Sequence, residues 1–148
     1  MSSFPEILLR PATSSDAAAI AITMRASLNA FDWMPLLHTP EEDLFFIRDI
    51  VLPEQQVTVV ATDGRIVGFI AVNEAWVDQF YLDPAWTGQG IGTRLLATDG
   101  MPLVKLHCFQ VNTGARRFYE RHGFRAEAFG DGSVNEEGLP DIRYVLRR

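Results

Sequence analysis

Two β-branched runs, residues 57–62 and 65–72, are separated by the dipeptide Asp63-Gly64, and no other feature restricts the fold as much. A two-residue hairpin connection needs positive φ at its central positions. Asp-Gly supplies it, so the runs fold back on each other as an antiparallel pair. A further strand is expected over residues 76–82, ended by Asp83-Pro84 because proline cannot donate to a ladder. Upstream, residues 7–10 read as a first strand stopped by Pro11. A helix follows, with Ser14, Ser15 and Asp16 as capping oxygens and Ile20, Met24, Leu28 and Phe31 as its buried stripe, ending between Asn29 and Pro35. Thr39-Pro40-Glu41-Glu42 combines a capping threonine, a proline at the first helical position and a glutamate three residues after the threonine. It opens a second helix over residues 40–51.

Downstream of residue 82 come a glycine-rich turn and a short helix through Leu95 and Leu96, closed by Asp99-Gly100. A strand over 103–111 and a helix over 113–122, stopped by Gly123, follow. Strands over 124–129 and 142–146 close the pattern around a polar loop, 130–141. This order predicts an α+β fold, one mixed sheet with helices packed on it.

At about 150 residues per domain, 148 residues predict a single domain spanning 1–148. Hydrophobic residues at 47% and charged residues at 22% predict a real core. Lys and Arg number 13 against 19 Asp and Glu, a net charge of −6, which leaves no basic field for nucleic-acid phosphates. The single cysteine, Cys108, can form neither an internal disulfide nor a multi-thiolate zinc site, and it fits a reducing cytoplasm. No leader pattern and no stretch approaching the ~18 apolar residues of a membrane span is visible, so a cytoplasmic, non-membrane protein is expected.

The chemistry concentrates in two blocks. The first is Phe80, Tyr81 and Leu82 leading through Thr87, Gly88, Gln89, Gly90, Ile91, Gly92 and Thr93 into a helix. Glycines at 90 and 92 offer positive φ and close backbone approach, and converging amides at a helix start suit a phosphate or pyrophosphate. The Gly-x-Gly-x-Gly spacing after antiparallel strands disfavours a dinucleotide fold, and the lack of a following Lys-Ser/Thr excludes a Walker loop. A purely structural turn is the alternative. The second block is Asn112, Thr113, Gly114, Ala115, Arg116, Arg117, Phe118, Tyr119, Glu120, Arg121, His122, Gly123 and Phe124. Asn112 can leave its strand early to cap the helix and meet a ligand's amides. Ala115, four residues before Tyr119, keeps the path to that ring open. The alternative is that Phe118 and Tyr119 are core aromatics.

In their order and separation these blocks resemble the GCN5-related N-acetyltransferase (GNAT) family. Its anion-binding turn, Gln/Arg-x-x-Gly-x-Gly/Ala, is matched by Gly90-Ile91-Gly92, and its following block by Asn112, Ala115, Phe118, Tyr119, Glu120, Gly123 and Phe124. Position 87 departs, with Thr87 where the family has Gln or Arg. Gln89 and Arg94 are candidates to compensate.

The resemblance implies a mostly antiparallel sheet splayed at its centre with helices on both faces. It further implies acetyl-coenzyme A as cosubstrate, an amine acceptor, possible homodimers, and direct attack of the amine on the thioester. The pantetheine arm would pair like an added strand against Phe80, Tyr81 and Leu82, with a backbone amide there polarising the carbonyl. Tyr119 is the family-matched hydrogen-bond donor to the departing sulfur. A catalytically silent acyl-coenzyme A sensor is the competing reading.

Glu74 and Asp78 are candidates to take the amine's proton, against a plain reading as solvated strand-end carboxylates. His38, His107 and His122 have no metal-site spacing, and His122 suits a helix C-terminus. Cys108 reads as core. Glu41, Glu42, Asp43, Asp131, Glu136, Glu137 and Asp141 suggest a cationic acceptor lying between the first two helices and the 130–141 loop, against a plain reading of Glu41 and Glu42 as helix-capping residues and of the loop as simply solvated.

Overall fold

The computed structural model describes residues 6–97 and 100–148. Seven strands, β1 (Leu8–Pro11), β2 (Gln56–Thr62), β3 (Arg65–Asn73), β4 (Trp76–Leu82), β5 (Leu103–Phe109), β6 (Arg125–Gly130) and β7 (Asp141–Arg147), form a sheet in the order β1-β2-β3-β4-β5-β7-β6. Antiparallel ladders join β1 to β2, β2 to β3, β5 to β7 and β6 to β7, and a parallel one joins β4 to β5. The helices are α1 (Ala17–Asn29), α2 (Pro40–Phe45), α3 (Leu52–Glu54), α4 (Ile91–Leu96) and α5 (Thr113–Arg121). Two compact units divide the chain. One holds residues up to Asn73 and the span from Gln79; the other holds Glu74–Asp78 and Gly100–Arg148.

In the first unit, Asp63 and Gly64 take φ values of 50° and 74°, the mirror-image turn that matches strand twist. They bring Thr62 opposite Arg65 and Val59 opposite Phe69. β3 is buried from residue 66 to residue 72. On alternate positions its Phe69 and Ala71, with Val57 and Val59 of β2, join Ile20 and Met24 of α1 and Ile47 and Val51 beyond α2 in one core. Val60, Ile70 and Val72 occupy the other set and are also buried, while α4 lies against β2 and β3 with Ile91, Leu95 and Leu96 enclosed. A strand covered on both faces loses its polar alternation, which is why 65–72 reads as a near-continuous apolar run. At Gly68 a side chain would collide with Leu82, so this glycine lets β4 close on β3.

Three boundaries differ from expectation. Pro11 belongs to β1: its missing N–H costs nothing at the strand's last position. Asp16, rather than Ser14 or Ser15, organises the entry to α1. Its carboxylate accepts from Thr13 N at 2.8 Å and from both Arg10 guanidinium nitrogens at 2.8 and 2.9 Å, and the Arg10 bond first of all holds it down at a pKa of about 2. The second helix opens on the expected reciprocal cap, with Thr39 N donating to Glu42 at 2.9 Å and Glu42 N to Thr39 Oγ1 at 3.2 Å. It then runs past residue 51: a π-helical stretch, Phe46–Val51, shifts the ladder just ahead of Pro53, which has no N–H to give, and α3 adds a last turn.

In the second unit, Val104, Leu106 and Cys108 alternate inward along β5. Across the ladder, β7 contributes Ile142 and Tyr144, both fully buried. β5 ends at Phe109, short of the expected residue 111, because Gln110 N turns to Pro140 O and Asn112 N to Phe109 O. The expected stop of the α4 helix at Asp99 lies outside the described residues, whereas Gly100 is present with φ 62°. Among the described residues no helix is long and apolar enough to cross a membrane.

Candidate active site

The glycine turn lies in the first unit. Gly88 and Gly90 take φ values of 75° and 78°, and Gly90 is the left-handed residue that starts α4. Nothing lies within 4 Å of where a side chain at either would sit, so the turn is an open, exposed cradle of backbone. Gly92 differs from the expectation of positive φ. It lies within the first turn of α4, buried, with helical rather than left-handed backbone. Asp83 Oδ1 accepts from Ala85 N at 2.9 Å and fixes the turn before the cradle. Thr87 spends its hydroxyl on Pro84 O at 3.1 Å, whereas Gln89 and Arg94 stand exposed beside the cradle. Thr93 is exposed and Ile91 is buried as an anchor. Along β4, Tyr81 packs on Phe69 with ring centroids 5.7 Å apart, and Phe80 and Leu82 are half-buried.

Asn112, Ala115, Phe118 and Tyr119 lie in the second unit. Asn112 caps α5, its Oδ1 accepting from Ala115 N at 3.2 Å, as its spacing predicts. Tyr119 is half-buried, and its ring meets Phe118 and Phe124 edge-on at 5.5 Å and Tyr144 at 6.0 Å. Both readings of this residue therefore have a physical basis: it is packed, yet not enclosed. Sequence reasoning overlooked Tyr144, whose hydroxyl donates to Glu120 at 2.6 Å. Burial and that carboxylate raise the Tyr144 pKa, opposed by Arg116. Cys108 is core, as expected. Burial pushes its thiol up to about 11, so it stays protonated at neutral pH and is no nucleophile.

The carboxylate candidates separate. Glu74 sits exposed at φ 53° in the turn before β4, a backbone role that needs no chemistry. Asp78 projects from β4, and partial burial raises its pKa against the opposing pull of His107. His107, Trp76 and Lys105 are a second omission. The ring of His107 stacks on Trp76, centroids 5.0 Å apart and 15° from parallel, and Lys105 Nζ lies 5.8 Å from the same indole. Only the parallel register, Trp76 opposite Lys105, reveals this grouping, and a crossover connection hides that register from the sequence.

Three of the acidic residues suggested as drawing a cationic acceptor have partners of their own. Asp43 is buried and paired with Arg25 at 2.7 Å, Glu42 completes its helix cap, and Asp131 accepts from Ser133 N at 2.9 Å. Asp141 lies in β7 rather than in the loop.

Residues 53–126 match the acetyltransferase (GNAT) domain model. Over 92 residues the chain is 34% identical to the peptidyl-lysine N-acetyltransferase YjaB of Salmonella typhimurium, covering 60% of this chain and 62% of that protein. The solution structure of apo YjaB from Escherichia coli superposes with a TM-score of 0.77 at 21% identity over 95% of this chain and 97% of that one. The structure of YncA from Salmonella typhimurium with its cofactor acetyl-CoA gives 0.72 at 19% identity, covering 95% and 93%. The chain spans between 43% and 62% of the length of the curated relatives it matches. With half its length in the domain model and the same fold throughout, this chain belongs to the GNAT acetyltransferase family.

Proposed function

We propose that the protein is an acetyl-CoA-dependent N-acetyltransferase that acts on a primary amine. The open cradle at Gly88 and Gly90 carries this reading, because it presents backbone at a helix start with no side chain in the way of a pyrophosphate. Gly88, Gln89, Gly90, Ile91, Gly92 and Thr93 hold the phosphates, with Gln89 and Arg94 replacing the contact that Thr87 forgoes. Phe80, Tyr81 and Leu82 pair with the amide-bearing arm. Asn112, Ala115, Phe118 and Tyr119 supply the remaining donor contacts carried over from the family. The name of its relative YjaB favours a lysine side chain as acceptor.

Acetyl-CoA supplies an activated acyl group; the chain's residues manage protons. Tyr119, a phenol with an ordinary pKa of ~10, donates a hydrogen bond to the departing sulfur. Full transfer to a thiolate of pKa ~8.5 is uphill by about 2 kcal/mol, so the bond is made without the proton being given up unless another group resupplies it. The acceptor must also lose a proton, directly or through water; of the two carboxylate candidates, Glu74 serves the turn before β4 and Asp78 is kept for a part in this step. Cys108, a lone buried thiol, suits a cytoplasmic setting.

Release of free thiol from acetyl-CoA, followed with lysine peptides and small amines, tests the reading. Acetylated product equimolar with thiol supports it. Binding of acetyl-CoA with no release to any amine would make the protein a sensor instead.

A further inference from the structure

The second unit presents a group of side chains that the family motifs leave unassigned. With Trp76 opposite Lys105 in parallel register, the next outward positions along the two strands are Asp78 and His107. Val77, Val104, Leu106 and Cys108 point the other way and are buried. Trp76 fixes the plane of the His107 ring by stacking on it. Among the described residues, no hydrogen bond occupies either His107 ring nitrogen. His122 differs, with Nδ1 2.8 Å from Phe118 O, and so does His38, which stands 3.7 Å from Glu42. His107 itself is exposed.

The charged groups around that ring can be enumerated. Asp78 faces it from β4 and interacts with it electrostatically. Lys105 lies two residues before it on β5, held over Trp76. Arg143 is its partner on β7 and is tied to Glu127 of β6 at 2.7 Å. Glu127 thus offsets the Arg143 charge, and of the remaining two groups Lys105 is the cation and Asp78 the carboxylate.

We propose that His107 takes the proton from the acceptor ammonium and that Asp78 is a positioning residue that steadies the resulting imidazolium; this rests on the acetyltransferase reading above. The need is chemical. An alkyl ammonium with a pKa of ~10.4 leaves only about one amine in 2,500 neutral near pH 7. The placement is local, because Asp78 stands two residues before Phe80, where the donor arm is assigned. A neutral ring nitrogen removes one proton from R–NH3+. The freed lone pair attacks the thioester carbon, the C–N bond forms and the C–S bond breaks. The second nitrogen proton ends on the sulfur as free thiol, and the imidazolium returns its proton to water. One proton is released per acetyl group moved.

The test compares wild type, His107→Gln, Asp78→Asn and Asp78→Glu by kcat/KM for a lysine peptide from pH 6 to 10, with acetyl-CoA affinity measured by calorimetry. His107→Gln should lose about a hundredfold or more near pH 7, and the deficit should shrink toward pH 10 as the amine deprotonates unaided. Its acetyl-CoA affinity should be unchanged. Asp78→Asn should move the acid limb of the profile to lower pH, with Asp78→Glu restoring it. A loss within twofold, or one of equal size at every pH, overturns the inference while leaving the acetyltransferase reading intact. A wild-type protein that neither binds acetyl-CoA nor releases thiol overturns both, and that failure would be seen without any substitution.

Discussion

β3 and β5 belong to the same sheet order, with β4 between them, and are built to opposite ends. β3 is buried at every position from 66 to 72, whereas β5 buries Val104, Leu106 and Cys108 and leaves Lys105 and His107 toward water. Covering both faces makes a scaffold, because every side chain there is answerable to packing. Leaving one face open lets a strand carry ionisable groups without the cost of burying them. The split between holding and reacting is thus written in burial.

Substitutions that break this contrast should rank accordingly. Phe69→Ala, at a fully buried ring, is expected to cost about 3–5 kcal/mol, read as a large drop in denaturant midpoint. Tyr119→Phe should lower kcat by roughly ten to a thousandfold with donor affinity little changed; a variant within twofold of wild type would assign Tyr119 to packing with Phe118 and Phe124. Acid should then find the β1–α1 junction. Asp16 has its pKa lowered to about 2 by Arg10 and Thr13, so its contribution is present above its unfolded value of ~3.9 and is lost as pH falls from there toward 2. Melting temperature over that window should fall more steeply in wild type than in Asp16→Asn. Smallest of all, His107→Gln on the open face should shift stability by less than about 0.5 kcal/mol, whatever it does to activity.

Much of the scaffold was legible because its signals are local. Asp63-Gly64 dictates its turn, Thr39 and Glu42 their cap, Asn112 its helix start, and each does so within four residues. The cradle at Gly90 was legible for the same reason, since one position needed φ above zero. Gly92 shows the limit: its type is right, but its helical backbone and burial depend on what packs beside it. The reach of Asp16 to Arg10, the π-helical stretch before Pro53 and the hydroxyl of Thr87 turning to Pro84 are choices among several local partners. Trp76, Asp78, Lys105 and His107 could not be grouped from sequence, because their proximity follows from a parallel register set by a crossover. The acidic residues show a different limit: counting charges could not show that Asp43 pairs with Arg25 or that Asp131 accepts from Ser133.

Acetyl-CoA binding and thiol release by wild type and Gly90→Val test the central claim most directly. A β-branched residue is forced into left-handed backbone at about 1–2 kcal/mol, and its side chain fills the open cradle at Gly90. The account predicts thiol release matched by acetylated lysine peptide in wild type, and a folded Gly90→Val protein whose acetyl-CoA affinity falls by about tenfold or more. Unchanged affinity in the folded variant, or a wild-type protein that binds acetyl-CoA and transfers to no amine, would contradict it.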